Sequence, residues 1–341
     1  MTVHTFKHGH APSKLRPQKS GPVRHPSNTL HHTCKSPRTR VNNDLIHWLL
    51  ATSDPVVATS QKPRSLRKYN SLSPDIRSLL DEPKIEEYRQ TSTHSDDDDE
   101  HEECVDLDCT VVLPRGAPKV KCDAIQGYGA ELVFCDPTPT ARKKMSAKIA
   151  NETGKTIISS SDNYDVMAGQ GTIALELLEE VPDLDAVLVS TSAGGMLAGI
   201  AVAVRALRPQ CRVYAVEPVG KGLQKCLEAK ERLWPNPSRF LNTIADSIRL
   251  QAIGELTFPI ICDYADSKVF TVTDDQMVEG MKLTFERMKL VVEAASGAAV
   301  YAAIHMMDEV QPPPRKVGVI LCGGNTDLDN LPWLTRSTTY N

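Results

Sequence analysis

Residues 185–200 read DAVLVSTSAGGMLAGI, and they constrain the chain more than any other stretch. An apolar β-branched run breaks at a turn of small residues and passes straight into an alanine- and leucine-rich helical pattern. A strand, a tight loop and a helix N-terminus in direct succession make a βα unit, the repeat of a parallel sheet. The turn residues Ser192, Ala193, Gly194 and Gly195 carry little or no side chain, so a ligand oxygen can approach the main chain and collect several N–H groups. Such amides lack partners at any helix start, and the macrodipole places about half a positive charge behind them. A phosphate suits that seat. The plain alternative is a βα turn whose small residues serve only helix packing.

A second stretch, KVGVILCGGNTDL (316–328), repeats the device: an apolar strand ends in Cys322, Gly323, Gly324 and Asn325. In an open parallel sheet, ligands sit beyond the carboxyl ends of the strands. Two glycine turns at such ends are therefore expected to face one pocket.

From Cys109 onward, strand and helix patterns alternate. Residues 110–113 read as a strand, 117–126 as a helix with Gly127 and Gly129 available to end it, and 131–135 as a strand. A helix over 140–152 stopped by Gly154 follows, then a strand near Ile157. Residues 171–180, 196–207 and 277–290 are predicted helices, the last opened by Thr273 with Gln276 as a capping box. Residues 298–310 form a further apolar helix and 317–321 the last strong strand. The expected fold class is α/β with an open, mostly parallel sheet.

Gly169, Gly171 and Ala174 satisfy a dinucleotide fingerprint, G-x-G-x-x-A. The residues before them, DNYDVM, are not a β-branched strand, which argues against a nicotinamide site.

The first hundred residues differ in composition. Nine of the ten histidines precede residue 102, among many Ser, Thr, Pro, Lys and Arg residues and few apolar ones, so residues 1–106 are expected to be disordered. Within them NDLIHWLLATS (43–53) could make a short amphipathic helix, although a helix of about ten residues is marginal alone. The acidic run SDDDDEHEE (95–103) reads as a solvated linker. Scattered basic charges, few aromatics and no zinc-finger spacing argue against nucleic acid. No segment approaches the ~20 apolar residues of a membrane span, and residues 1–20 lack the apolar core of a signal peptide. Nine irregularly spaced cysteines suit reduced thiols, so a cytoplasmic location is expected.

Several strings, in order, resemble the serine racemase and serine/threonine dehydratase family of pyridoxal-phosphate enzymes. They are AIQGYGAELVFC (124–135), AGQGTIALELL (168–178), GGMLAGIAVAVRALRP (194–209), VYAVEP (213–218), FTVTDDQM (270–277), FERMKLVVE (285–293) and LCGGNTDL (321–328). The resemblance runs from about Val111 to Trp333. It implies the tryptophan-synthase-β-like fold, fold type II, incomplete at its N-terminus. The implied organisation is a partial small α/β domain over 107–160, a large cofactor-binding domain over 161–335 and a tail over 336–341.

Position by position, the resemblance implies that Ser192, Ala193, Gly194, Gly195 and Met196 hold the phosphate of pyridoxal 5'-phosphate. The family usually has four glycines in that loop, so Ser192 and Ala193 depart from it, and their β-carbons are expected to restrict the backbone. Cys322 falls where a Ser, Thr or Cys meets the pyridine nitrogen, a neutral partner suited to racemisation and β-elimination on a small hydroxy amino acid, serine or threonine. A homodimer is the family's common state.

The family also carries an upstream Ser-x-Lys-x-Arg-Gly segment, whose lysine forms the Schiff base, and a Ser-Ser-Gly-Asn-His-Gly loop. Neither occurs in residues 1–110; the nearest string, SKLRP (13–17) with Lys14, lacks the glycine. Two readings follow: an amino-acid racemase or ammonia-lyase, and a catalytically inactive, truncated or chimeric family member without the Schiff-base lysine that acts at most as a non-catalytic subunit. Ser161 and Ser247 replace an asparagine and a glycine near the cofactor, and Glu293 is kept but followed by Ala294. Glu217 matches one ligand of a divalent-metal site, but Leu223 stands where a second carboxylate is needed and Lys221 lies between. No metal is expected, and Glu217 is read as paired with Lys221 or capping the following turn.

Overall fold

The computed structural model describes residues 4–7, 56–58 and 108–334. In chain order the elements are β1 (His4–Lys7), β2 (Val56–Ala58), β3 (Thr110–Pro114), α1 (Lys119–Gly127), β4 (Glu131–Cys135), α2 (Pro139–Thr153), β5 (Thr156–Ile158) and α3 (Tyr164–Glu180). There follow β6 (Ala186–Ser190), α4 (Gly195–Leu207), β7 (Arg212–Pro218), α5 (Leu223–Ala229), α6 (Thr257–Tyr264), β8 (Val269–Val272), α7 (Asp274–Leu283), α8 (Ala294–His305) and β9 (Lys316–Val319). They build two sheets.

The larger sheet has the order β1-β9-β6-β7-β8, with β9, β6, β7 and β8 mutually parallel and β1 antiparallel at the edge. Its central strand β6 reads AVLVS and is buried along its whole length, as a strand covered on both faces must be. Alternation sorts the side chains. Val187, Val189, Val213 and Ala215 join one core with Leu177 of α3 and Leu197, Ile200 and Val204 of α4. Ala186, Leu188, Tyr214 and Val216 join the opposite core with Met277 and Met281 of α7 and Ala298 and Ala302 of α8. Helices on both faces of a parallel sheet are the α/β architecture that the alternating pattern implies. The smaller sheet, β4-β3-β2-β5, pairs β3 and β4 in parallel.

Most predicted elements appear with shifted ends. Helix α3 starts at Tyr164, seven residues before the predicted Gly171, because Asn163 caps it by accepting the amides of Asp165 (2.7 Å) and Val166 (3.2 Å). Gly169 and Gly171 thus lie inside a helix, so the dinucleotide fingerprint has no loop to form. The Thr273–Gln276 capping box is present, but α7 widens after Leu283 into a π turn (Thr284–Met288) and stops at Lys289, which is left-handed at φ 60°. Helix α8 begins at Ala294 instead of 298 and gives way to a short 3-10 turn (Met307–Glu309). Of the N-terminal segment expected to be disordered, β1 and β2 are strands, one at the edge of the larger sheet and one inside the smaller. Lys14, the 43–53 segment and the acidic run lie outside the described residues. Among the described residues no helix is long and apolar enough to cross a membrane.

Glycines set the closest helix contacts. A β-carbon on Gly199 of α4 would meet the Met167 carbonyl oxygen of α3 at 2.1 Å, and one on Gly280 of α7 would meet the Gly297 carbonyl oxygen of α8 at 2.1 Å. Gly169, by contrast, has open space where a β-carbon would stand. Gly199→Ala is therefore expected to destabilise by about 1–3 kcal/mol through overpacking. Gly169→Ala is expected to stabilise by about 0.5–1 kcal/mol through helix propensity. Paired urea-unfolding curves of the two variants check the opposite signs.

Candidate functional site

The first glycine loop leaves the carboxyl end of β6. Gly194 sits at φ 96° as the N-cap of α4, and its carbonyl accepts the Ala198 amide at 2.8 Å. Side chains are barred from both glycine positions. A β-carbon on Gly194 would lie 2.6 Å from Ile261 Cδ1, and one on Gly195 would lie 2.6 Å from the Ser161 carbonyl oxygen. The Ala193 carbonyl is fixed by the Gly254 amide (2.9 Å) and the buried Thr257 hydroxyl (2.8 Å). Among the described residues no backbone carbonyl takes the amides of Gly195, Met196 and Leu197. The result is a rigid turn with main-chain donors at the positive end of a 13-residue helix.

Ser192 and Ala193 do not restrict the backbone as their β-carbons led one to expect. Within this loop only Gly194 has a positive φ, so the left-handed demand falls on the one position that glycine fills. Met196 is half-buried against the core cluster on the α3–α4 side of the sheet.

The second loop leaves β9, the parallel neighbour of β6, with Leu188 in register with Val319. Two side-chain bonds join the loops' surroundings. The Ser190 hydroxyl at the end of β6 donates to the Ala295 carbonyl at 2.6 Å, and the hydroxyl of the next residue in that helix, Ser296, donates to the Cys322 carbonyl. Gly323, at φ 80°, lies against Glu293, where a β-carbon would sit 2.4 Å from the carboxyl carbon, and its carbonyl accepts the Glu293 amide at 3.1 Å. The structure thus brings residues 192–196 and Cys322 to one sheet edge. Cys322 is partly exposed as a residue while protein atoms crowd its thiol. Burial and the adjacent Glu293 push that thiol up to about 12, so it stays neutral at ordinary pH.

Sequence reasoning missed the lysine that meets this edge. Lys121 of α1, 7% exposed, extends from the smaller sheet's helix to carboxylates beside the larger sheet. Its ammonium donates to Glu293 Oε2 at 3.0 Å and to both Asp246 oxygens at 2.9 and 2.8 Å. Ser247, singled out earlier as a departure, donates its hydroxyl to Glu293 Oε1. Burial works against the ammonium, but Glu293 and Asp246 overcome it and hold Lys121 above the usual lysine range. Burial lifts the Glu293 carboxyl, and Lys121 pulls it back. The available signal was spacing, since Lys121 and the buried Ile125 are four residues apart on one helix face.

Glu217, at the end of β7 and 2% exposed, accepts the Leu223 amide on Oε2 at 3.0 Å and the Thr271 hydroxyl on Oε1 at 3.2 Å. It caps α5, the second of the two roles expected for it. Among the described residues no group of three or more His, Cys, Asp or Glu side chains is placed to hold a metal.

Replacing Lys121 by Met leaves two carboxylates without their cation and is expected to cost about 3–5 kcal/mol near neutral pH. Without the ammonium, burial and the neighbouring Asp246 outweigh the remaining Ser247 hydrogen bond at Glu293, so the folded chain holds a proton that the unfolded chain has already lost. Stability of the variant then falls as pH rises from the ordinary carboxylate range, and its deficit is smaller at about pH 5 than at about pH 8. In the parent, the raised Lys121 value contributes stability in full below the ordinary lysine range, lost only as pH climbs through the folded-state value. Denaturant unfolding of both proteins across pH checks the sign.

Comparison with known proteins agrees with this geometry. The family described as "Pyridoxal-phosphate dependent enzyme" matches residues 103–323. Mouse serine racemase is 41% identical over 232 residues, covering 67% of this chain and 66% of that protein, and bovine serine racemase is 42% identical over 229 residues. The chain therefore spans about two thirds of the length of these relatives. Among solved structures, a pyridoxal 5'-phosphate-dependent aspartate racemase superposes with a TM-score of 0.65 at 54% identity, over 66% of this chain and 69% of that one. Serine racemase from Dictyostelium discoideum gives 0.57 at 38% identity, over 65% and 70%. The chain belongs to the pyridoxal-phosphate-dependent enzyme family and has its fold type II architecture.

Proposed function

We propose that residues 192–196 seat the phosphate of pyridoxal 5'-phosphate, that Cys322 meets its pyridine nitrogen, and that the chain is a racemase or ammonia-lyase of a small polar amino acid. The observation that carries this is the shared edge: the loops after β6 and β9 leave adjacent parallel strands and are tied through Ala295 and Ser296. The residues fit the group, since Gly194 and Gly195 form a cradle that a β-carbon would fill.

Bound there, the cofactor supplies the sink for the electron pair released when the Cα–H bond of an amino acid breaks. The chain's own residues set the terms. Main-chain amides at the start of α4 fix the phosphate end. The neutral Cys322 thiol offers the ring nitrogen no carboxylate, which moderates the sink and suits return of the proton to either face, or loss of water to give a keto acid and ammonia. Glu293, held by Lys121 and Ser247, closes the edge with its charge balanced, and Ser161 borders the phosphate turn through its backbone. Serine and threonine are the substrates that the strings resembling the family favour. Aspartate joins them because an aspartate racemase is 54% identical to this chain over the matched region. No disulfide joins any two of the seven described cysteines, which supports a reducing compartment such as the cytoplasm.

The second reading, a non-catalytic family member, rests on residues 1–110, where the Ser-x-Lys-x-Arg-Gly segment does not occur. One experiment separates the two. The full chain is titrated with pyridoxal phosphate and followed by absorbance, with inorganic phosphate as competitor, then assayed by chiral separation of serine and aspartate and by keto-acid release. Saturable binding with turnover is expected, and Gly195→Ala should weaken binding about tenfold or more while the far-ultraviolet spectrum is kept. Binding without turnover selects the non-catalytic reading. No saturable binding overturns the proposed phosphate seat.

A further inference from the structure

The turn after β7 buries a lysine that the proposed chemistry does not use. Lys221 is 1% exposed, flanked by Gly220 at φ 93° and Gly222 at φ 75°, the two left-handed residues that swing its side chain inward. Its ammonium donates to the Leu250 carbonyl, and its own carbonyl accepts the Trp234 indole N–H at 2.6 Å. Burial pulls this ammonium down to about 7, and the opposing charge of Glu217 holds it against a further fall. A buried ammonium is retained only where fixed oxygens and a counter-charge replace its water.

The family resemblance calls for a divalent cation at this corner, with Glu217 as one ligand and a carboxylate at position 223. The donor set here does not fit one. The Leu223 side chain is fully buried and has no donor oxygen, and both oxygens of Glu217 are engaged, one by the Leu223 amide and one by the Thr271 hydroxyl. A hard cation wants about six to eight oxygens.

We propose that Lys221 is a built-in cation: its buried ammonium, held on the Leu250 carbonyl in the field of Glu217, takes the place of the divalent metal. The corner that joins β7 to α5 is thus neutralised by the chain itself, with no dependence on free metal.

The test is the thermal melt of the full chain with magnesium, calcium or manganese chloride, or with EDTA, read by intrinsic fluorescence. The parent is expected to melt at the same temperature in all four. The double variant Lys221→Ala, Leu223→Asp, which removes the tethered charge and restores a carboxylate, is expected to gain a saturable rise of roughly 3 °C or more with magnesium, reversed by EDTA. Leu223→Asp alone, with the ammonium still in place, should not respond. A parent whose melt rises with magnesium and falls with EDTA overturns the proposal, as does a folded double variant that ignores all three metals. Should the double variant fail to fold, manganese titration of the parent by electron paramagnetic resonance decides: no retained manganese is the expected result, and one tightly held ion per chain overturns it.

Discussion

The parallel pairing of β6 with β9 is the constraint on which the site depends. Neighbouring parallel strands end about 4.8 Å apart and point the same way, so the turns that follow them open on the same side of the sheet. With Leu188 opposite Val319, the glycine turn after β6 and the cysteine–glycine turn after β9 become neighbours without either sequence encoding the other. The hydroxyls of Ser190 and Ser296 then fix their spacing through consecutive residues of α8. Neither bond is large alone. Their value lies in tying loops to strands that are themselves immobile.

Charge does for the two sheets what pairing does for the two loops. Lys121 comes from the helix between β3 and β4, while Glu293 and Asp246 belong to segments packed on the larger sheet. With three partly or wholly buried charges in hydrogen-bond contact, the desolvation cost is offset only while all remain together. Such a cluster fixes geometry more than it adds stability. It sits where the site needs fixed geometry, beside the loop carrying Cys322.

Much of this was legible in the chain. The continuous apolar β-branched run at β6 and the glycine turns at 194 and 323 gave the parallel sheet and both loops, because parallel strands buried on two faces leave a strong apolar signature. The capping box at Thr273 was readable for the same reason, a local bond between residues three apart. Less legible were caps that a periodicity count passes over and features made by distant residues. Asn163 moved the start of α3 because a single cap outweighs a periodicity count, and the change of pitch at Thr284 after α7 leaves no mark in the apolar pattern. Short elements such as α5 and β8 carry too few residues for a pattern. Lys121 and Asp246, 125 positions apart, form a bond that local spacing cannot announce.

The contact of Gly199 with the Met167 carbonyl has a wider consequence. Helix α4 carries the proposed phosphate amides at one end and touches α3 main chain to main chain in its first turns, with no intervening side chain to absorb change. Any residue larger than glycine there must shift the helix bodily, and its amino end goes with it. Tolerance to mutation and grip on the ligand are thereby governed by the same pair of atoms, so a lineage drifting at this position would lose both together.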